Sequence, residues 1–158
     1  MERPARSFGR KGFPLVGALR YLLDANILSE PMRPGPIESV VEMLERTLDE
    51  CATSALVLHE LEFGVARLPA SRKKTALTNY IAEVVARIPI LPYAAAAARW
   101  HACERARLTK RGRAPAFVDG QIAATAMVHG LTLVTRNLAD FEVFEGLKLA
   151  SWFAPQST

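Results

Sequence analysis

The chain has 158 residues, of which 50% are hydrophobic and 23% are charged, and its formal net charge is +4. This composition supplies the core of one domain and excludes a globally disordered chain. The uncharged stretch from Ile88 to Ala98 contains two prolines, and like every other stretch without Asp, Glu, Lys or Arg it is too short to span a bilayer, so no membrane partner is expected.

The N-terminal region carries the excess of positive charge. Among the first twenty residues five are basic and one is acidic: Arg3, Arg6, Arg10, Lys11 and Arg20 against Glu2. The other residues balance, so the net charge describes this region rather than the body of the protein. We predict an extension over residues 1–19, either a flexible arm or the product of a misassigned start codon, then one domain over residues 20–152 and a tail over residues 153–158.

Short apolar segments alternate with helical patterns along the rest of the chain. The predicted strands are Tyr21–Asp24, Cys51–Ser54, Ile88–Leu91, Leu131–Thr135 and Leu147–Ala150. The predicted helices are Ala25–Glu30, Pro36–Glu50, Ala55–Leu68, Ser71–Arg87, Ala94–Lys110, Phe117–His129 and Leu138–Phe144. This alternation predicts an α/β fold, in which helices flank a central parallel sheet of about four to five short strands. In such sheets the functional site lies at the carboxyl ends of the strands.

Four acids lie at the ends or edges of successive strand–helix units. They are Asp24 after the first strand, Glu60 on a partly apolar helix stripe, Asp119 at the start of a helix, and Asp140 after the fourth strand. Taken singly, Asp24 and Asp119 are also typical helix N-caps, whereas Glu60 and Asp140 are also typical surface acids. Together they indicate a shared site.

Carboxylates gathered in one cleft repel each other and raise each other's pKa, and a divalent cation removes that penalty. A ligand set made only of oxygen atoms favours Mg²⁺ or Mn²⁺ over zinc. The sequence therefore predicts a Mg²⁺ or Mn²⁺ site.

Four segments resemble the motifs of the PIN-domain nucleases, in particular the VapC-type toxins of bacterial toxin–antitoxin pairs. They are Leu22–Glu30, then Thr53-Ser54 with Glu60, Leu61 and Gly64, then Asp119 with Ile122–Ala124 and Ala126, and finally Leu133–Asn137 with Asp140 and Phe141. The resemblance covers roughly Arg20 to Trp152. One departure is Ala25, which stands where the family often has Thr.

The resemblance implies a PIN-like fold and a Mg²⁺- or Mn²⁺-dependent endoribonuclease. In this chain Asp24, Glu60, Asp119 and Asp140 match the acidic quartet of the family. Three polar residues would support the quartet or share its fourth position: Asn26, Thr135 and Asn137.

The same resemblance implies three partners: an RNA substrate, an antitoxin that covers the cleft, and a second copy of the chain in a homodimer. The helices Pro36–Glu50 and Ala55–Leu68 would form the groove and the dimer surface. Gly64 interrupts the second of these helices at a cost of roughly 1 kcal/mol relative to Ala, which predicts the close approach of another backbone.

A basic segment precedes Asp119 and is expected to draw RNA phosphates toward the cleft. We predict five RNA-binding residues in it: Arg105, Arg107, Lys110, Arg111 and Arg113. The alternative is a solvated helix face without a ligand.

Three other functions are weighed against the toxin. A phosphatase of the haloacid dehalogenase class needs a second Asp two residues after the first, where this chain has Asn26. A degenerate PIN-like module that binds RNA or a peptide would lack catalysis, and an RNA-processing nuclease would share the chemistry without toxicity. The two cysteines form no CxxC pattern and suit a reducing compartment, so a cytoplasmic location is expected.

Overall fold

Five short parallel strands form the centre of the structure, a computed structural model that describes residues 18–153. The strands are β1 (Tyr21–Leu23), β2 (Cys51–Ser54), β3 (Ile90–Leu91), β4 (Thr132–Val134) and β5 (Leu149–Ala150). Their order in the sheet is β3-β2-β1-β4-β5. The predicted α/β fold with a central parallel sheet is confirmed. Most of the predicted N-terminal extension and nearly all of the tail lie outside the described residues.

Seven helices of the described region flank this sheet. They are α1 (Ala25–Ser29), α2 (Glu38–Thr47), α3 (Ala55–Ala66), α4 (Arg72–Arg87), α5 (Ala95–Lys110), α6 (Phe117–His129) and α7 (Leu138–Phe141). Short 3-10 turns follow α1 and α2, at Glu30–Met32 and Leu48–Glu50. None of the helices between residues 18 and 153 is long and apolar enough to cross a bilayer.

The carboxyl ends of the central strands are aligned. Leu23 at the end of β1 pairs with Thr53 on one side and Val134 on the other. The hydroxyl of Thr53 donates to the Leu23 carbonyl at 2.6 Å, and the Asp24 amide donates to the Val134 carbonyl at 3.0 Å. Polar residues that follow these strands therefore meet at one edge of the sheet.

Two element boundaries differ from the prediction for identifiable reasons. Pro36 lies before α2 rather than in its first turn, because Ile37 has an extended backbone and is the N-cap, and its amide donates to the buried Glu30 carboxylate at 3.0 Å. The third strand begins at Ile90 rather than Ile88. Ile88 still donates to the Val84 carbonyl as the C-cap of α4, and Pro89 has no amide hydrogen to contribute.

A partly buried ion pair holds the segment that follows α7. The Arg107 guanidinium forms two hydrogen bonds with the Glu104 carboxylate and donates to the Val143 carbonyl at 3.1 Å. The same carboxylate accepts from the Glu145 amide at 3.0 Å. The hydrogen bonds from Arg107 are the main cause of the lowered pKa of Glu104. These contacts tie α5 to the chain beyond α7.

Close packing between α5 and α6 explains a glycine inside a helix. The imidazole of the buried His101 lies so near Gly120 that a Cβ at that position would clash with its Nε2 atom. The ring has little room to move, because it contacts the Phe117 ring with centroids 4.9 Å apart and its Nδ1 atom lies 3.3 Å from the Tyr93 hydroxyl. Gly120 therefore lets α6 approach α5 closely beside Asp119.

We predict that Gly120→Ala destabilises the protein by about 1–3 kcal/mol, the typical cost of overpacking a core. Urea unfolding of the parent and the variant measures this loss. In a His101→Ala background the same substitution should cost little, since the clash is gone and Ala is the better helix former. Equal losses in both backgrounds would contradict the packing argument.

Candidate active site

The four predicted acids line one cavity of about 350 Å³ at the carboxyl edge of the sheet. Its lining comprises Asp24, Ala25, Asn26, Glu60, Leu61, Asp119, Ile122, Asn137, Asp140 and Phe141. The structure thus brings the quartet together with two of the three predicted supporting residues. The third, Thr135, is fully buried behind Asp24.

Asp24 is held rigidly at the floor of this cavity and is only 7% exposed. One carboxylate oxygen accepts from the Ala25 amide at 2.8 Å, so Asp24 is the N-cap of α1. The other oxygen accepts from the Thr135 hydroxyl at 2.8 Å. The N-cap interpretation of Asp24 is therefore confirmed, and the same side chain also lines the cavity.

Thr135, the residue after β4, is hydrogen-bonded to residues at the start of α1. Besides donating to Asp24, its hydroxyl oxygen accepts from the Asn26 side-chain amide at 3.4 Å and from the Asn137 backbone amide at 3.1 Å. Asn26 in turn accepts from the Arg136 amide at 3.1 Å. Asn26 therefore supports Asp24 through Thr135, and this chain of hydrogen bonds fixes the orientation of the buried carboxylate.

Glu60 projects from the second turn of α3 into the open side of the cavity. The partly apolar stripe predicted for it is packed at one end only: Leu56 packs against the core, whereas Phe63 is 57% exposed and Glu60 itself is exposed. The buried face of α3 is instead formed by Val57 and Val65. The Glu60 carboxylate is thus accessible to a ligand.

Asp119 and Asp140 close the cavity from the other side. The N-cap alternative for Asp119 is wrong, because α6 begins at Phe117 with Ala116 as its N-cap and Asp119 is the third helical residue. Asp119 is half-buried, whereas Asp140 on α7 is exposed.

The electrostatics of the cavity disfavour three of the four negative charges. Loss of hydration in the cavity is the main cause of the raised pKa values of Asp24, Glu60 and Asp119, and it is only partial for Glu60, whose side chain stays accessible. Neighbouring carboxylates add to each shift: Asp140 acts on Asp24, both Asp24 and Asp119 act on Glu60, and Asp140 and Asp24 act on Asp119. The two hydrogen bonds to Asp24 partly oppose its shift. The site is therefore a set of mutually repelling acids.

The donor set fits a hard divalent cation. Carboxylate and amide oxygens are the ligands that Mg²⁺ and Mn²⁺ prefer, and a cation would offset the repulsion. Within residues 18–153 no three acidic, histidine or cysteine side chains are already arranged around one common metal position. Mg²⁺ commonly keeps several waters and uses few direct carboxylates, so an open acidic cavity suits it.

The basic segment before Asp119 contains residues in different environments. Arg107 is committed to the Glu104 ion pair, and the Arg105 guanidinium lies 4.9 Å from the centre of the Phe117 ring. Arg113 lines a cavity that also contains Asp119 and Asp140, while Lys110 and Arg111 are exposed at the end of α5. The spacing of Glu104 and Arg107, three residues apart on the predicted helix, is a signal that could have singled out the paired arginine.

A separate groove of about 370 Å³ lies between α2 and α4, and none of the four acids of the active-site cavity lines it. Its lining includes Val41 and Leu44 from α2, and Tyr80 and Val84 from α4. The helix Pro36–Glu50 was expected to form the groove and the dimer surface together with the helix Ala55–Leu68; it supplies one wall of this groove through α2, and α4 supplies the other. Periodicity gives the apolar face of a helix but not the helix that packs beside it.

The parallel sheet with an acidic cleft at its carboxyl edge defines a PIN-like α/β domain. The family model described as PIN domain matches residues 21–146. The chain is 38% identical to the toxin FitB of Neisseria gonorrhoeae over 76% of this chain and 89% of that protein. It is 32% identical to a VapC ribonuclease of Sinorhizobium fredii over 85% of this chain and 98% of that protein.

A solved structure of VapBC2 from Rickettsia felis, bound to a DNA fragment from its promoter, superposes with a TM-score of 0.74. The two sequences are 28% identical, and the superposition covers 85% of this chain and 99% of that one. The chain belongs to the PIN-domain family, in the group that contains the FitB and VapC toxins. The resemblance found in the sequence motifs is confirmed.

We predict that Asp119→Asn stabilises the metal-free protein at neutral pH. A carboxyl with a raised folded-state pKa stabilises the fold fully below its unfolded pKa, here near 3.8, and that contribution is lost as the pH rises through the folded value. The amide should raise Tm at pH 7 by about 2–4 °C, the shift that roughly 1 kcal/mol produces in a domain of this size.

Thermal unfolding in EDTA between pH 4 and 8 measures the effect of this substitution, and the gain should shrink toward the acid end. Glu62→Gln is the control, because Glu62 is an exposed acid of α3 outside the cavity and should leave Tm unchanged. An Asp119→Asn protein less stable than the parent at pH 7 would contradict the repulsion argument.

Proposed function

We propose that this protein is the toxin of a toxin–antitoxin pair and acts as a Mg²⁺- or Mn²⁺-dependent endoribonuclease. The observation that carries the proposal is the convergence of four acids in one cavity of a PIN domain. The relatives support it, since one is named a toxin and another a ribonuclease.

In this proposal Asp24, Glu60, Asp119 and Asp140 hold the divalent ion, which when bound supplies a Lewis acid that polarises a phosphodiester oxygen and activates water. Asp140 is assigned the fourth position because it lines the acidic cavity and also the cavity next to it, whereas Asn137 lines only the first.

In this proposal the chain's own residues orient the Asp24 carboxylate and accept a proton from the attacking water. The Thr135 hydroxyl and the Ala25 amide hold both oxygens of Asp24, so this ligand is pre-oriented before substrate arrives. Glu60 and Asp140 are exposed, and one of them can accept a proton from the attacking water. Without a cation the four acids would repel an RNA backbone, so the ion serves binding as well as chemistry.

The exposed basic residues at the end of α5 are assigned to RNA phosphates. These are Lys110, Arg111 and Arg113, with Arg105 nearby on the same helix. Arg107 is left out of this assignment, because its guanidinium is committed to Glu104 and the Val143 carbonyl. Phosphate contacts of this kind make RNA affinity depend on salt.

We expect purified, antitoxin-free protein to cut total or structured RNA with Mg²⁺ or Mn²⁺ and not with EDTA. Asp24→Asn should lower the rate by roughly a hundredfold or more, because it removes a charged ligand from the centre of the site. Gel analysis of the RNA measures cleavage, and Glu62→Gln should cut like the parent. A folded protein that binds RNA without cutting any would instead indicate the catalytically inactive module.

The antitoxin is assigned to the groove between α2 and α4. Val41, Leu44 and Val84 give it an apolar floor, and its walls carry two acids, Glu45 and Glu83, and one base, Arg87. A groove of this kind accepts an amphipathic helix with basic residues beside its apolar face. A partner seated there would contact α2 and α4 directly.

A second copy of the chain is assigned to the exposed face of α3. Phe63 is 57% exposed, and the Arg67 guanidinium lies 5.5 Å from the centre of its ring. The predicted close approach of a backbone to Gly64 is not met within residues 18–153, since no atom lies within 4 Å of the position of a Cβ there. A homodimer across α3 would supply this approach.

Two variants test these surfaces, and each is the control for the other. Val41→Lys should weaken binding of the antitoxin encoded beside this gene by at least about tenfold and leave the dimer intact. Phe63→Lys should give monomers and leave antitoxin binding intact. Titration calorimetry and sedimentation velocity measure the two outcomes. The assignment would be contradicted if Val41→Lys broke the dimer while Phe63→Lys weakened antitoxin binding. It would also be contradicted if neither variant had any effect.

A further inference from the structure

A second cavity, of about 450 Å³, adjoins the acidic one because Asp119 and Asp140 line both. Its other walls are the loop from Arg113 to Ala116, Ala139 of α7, and Val143 just after that helix. A third cavity, of about 320 Å³, shares Arg113 and Val143 with the second and adds Arg111. The three cavities are therefore neighbours in a row that runs from the four acids to Arg111 and Arg113, and we call this row the trough.

The position of Arg113 in this trough is set by the end of α5. Gly112 has a φ of +69°, its amide donates to the Thr109 carbonyl at 3.0 Å, and the Arg113 amide donates to the Leu108 carbonyl at 2.9 Å. This pair of hydrogen bonds is a Schellman motif, in which glycine supplies the left-handed conformation. The backbone of Arg113 is therefore anchored to α5.

The side chains of Arg107 and Arg113 have different surroundings. Arg107 is bound to Glu104, Val143 and Glu145 and so builds the wall of the trough. In the described part of the chain the Arg113 guanidinium has neither a hydrogen bond nor an ion pair, although two carboxylates line the same cavity. A guanidinium in this situation is available to an anionic ligand such as a phosphate.

We propose that the second cavity is a nucleotide subsite, which holds an unpaired nucleotide next to the scissile bond while Arg113 binds its phosphate. This rests on the proposed endoribonuclease function. The cavity volume lies within the roughly 300–1,000 Å³ of small-ligand sites. RNA enters a site of this size with its base splayed out, so unpaired strands are selected over duplexes.

Binding of RNA to the uncleaving Asp24→Asn protein tests the subsite. The probes are a fluorescein-labelled uridine octamer and a blunt-ended RNA hairpin, and fluorescence anisotropy gives the affinity at several salt concentrations. Arg113→Gln should weaken octamer binding roughly tenfold and lower the slope of log affinity against log salt by about one. Ala114→Leu, which narrows the cavity without changing charge, should weaken binding with the slope unchanged.

Arg99→Gln is the matched control, because Arg99 is an exposed arginine about three turns earlier on α5 and lines none of the three cavities. Its loss should change affinity and slope much less. Equal effects of Arg113→Gln and Arg99→Gln would overturn the subsite, as would binding of the hairpin as tight as that of the octamer.

The two proposals fail differently. If the parent protein cuts RNA while Arg113→Gln and Ala114→Leu bind the octamer normally, the subsite is wrong and the nuclease stands. If the Asp24→Asn protein binds neither RNA at any salt concentration and the parent cuts none, the proposed function fails and the subsite with it.

Discussion

The parallel pairing of β1 between β2 and β4 is the constraint on which the site depends. It places the residue after β1 beside the end of β4, so that the Thr135 hydroxyl reaches the Asp24 carboxylate at 2.8 Å. A slip of one residue in either pairing would turn Asp24 toward the opposite face of the sheet. The helices that follow β2 and precede β4 then bring Glu60 and Asp119 to the same edge.

Bringing these acids together lowers the stability of the folded protein, because their charges repel each other and lose hydration. This destabilisation arises in the cavity and not in the hydrophobic core. Asp24 is buried with both oxygens hydrogen-bonded, whereas Glu60 and Asp140 stay exposed to water. Only the central carboxylate therefore loses most of its hydration. The arrangement keeps the charges close enough to share a ligand while limiting how many are desolvated.

The parallel sheet and the convergence of the four acids could be predicted from the sequence, because both depend on the order of strands and helices along the chain. The four acids lie directly at strand ends or in helices beside them, so the topology of a parallel sheet is enough to bring them together. What could not be predicted depends on contacts between distant segments. Glu60 was placed on a partly apolar stripe, but the pattern did not show that Leu56 packs against the core while Phe63 stays exposed. The pairing of Arg107 with Glu104 follows from their i,i+3 spacing on α5, but the contact of Arg107 with the distant Val143 carbonyl could not be predicted. The roles given to the acids, the basic residues and the cation remain predictions.

The outermost strands of the sheet, β3 and β5, each have only two residues. An edge that short offers few unpaired amide and carbonyl groups along which a strand from another molecule could extend the sheet. Strand addition is the usual first step toward amyloid-like aggregation, and it needs a longer template. The described part of the chain is therefore poorly suited to seed fibrils through its sheet edges, even when the protein is separated from any partner that covers its surface.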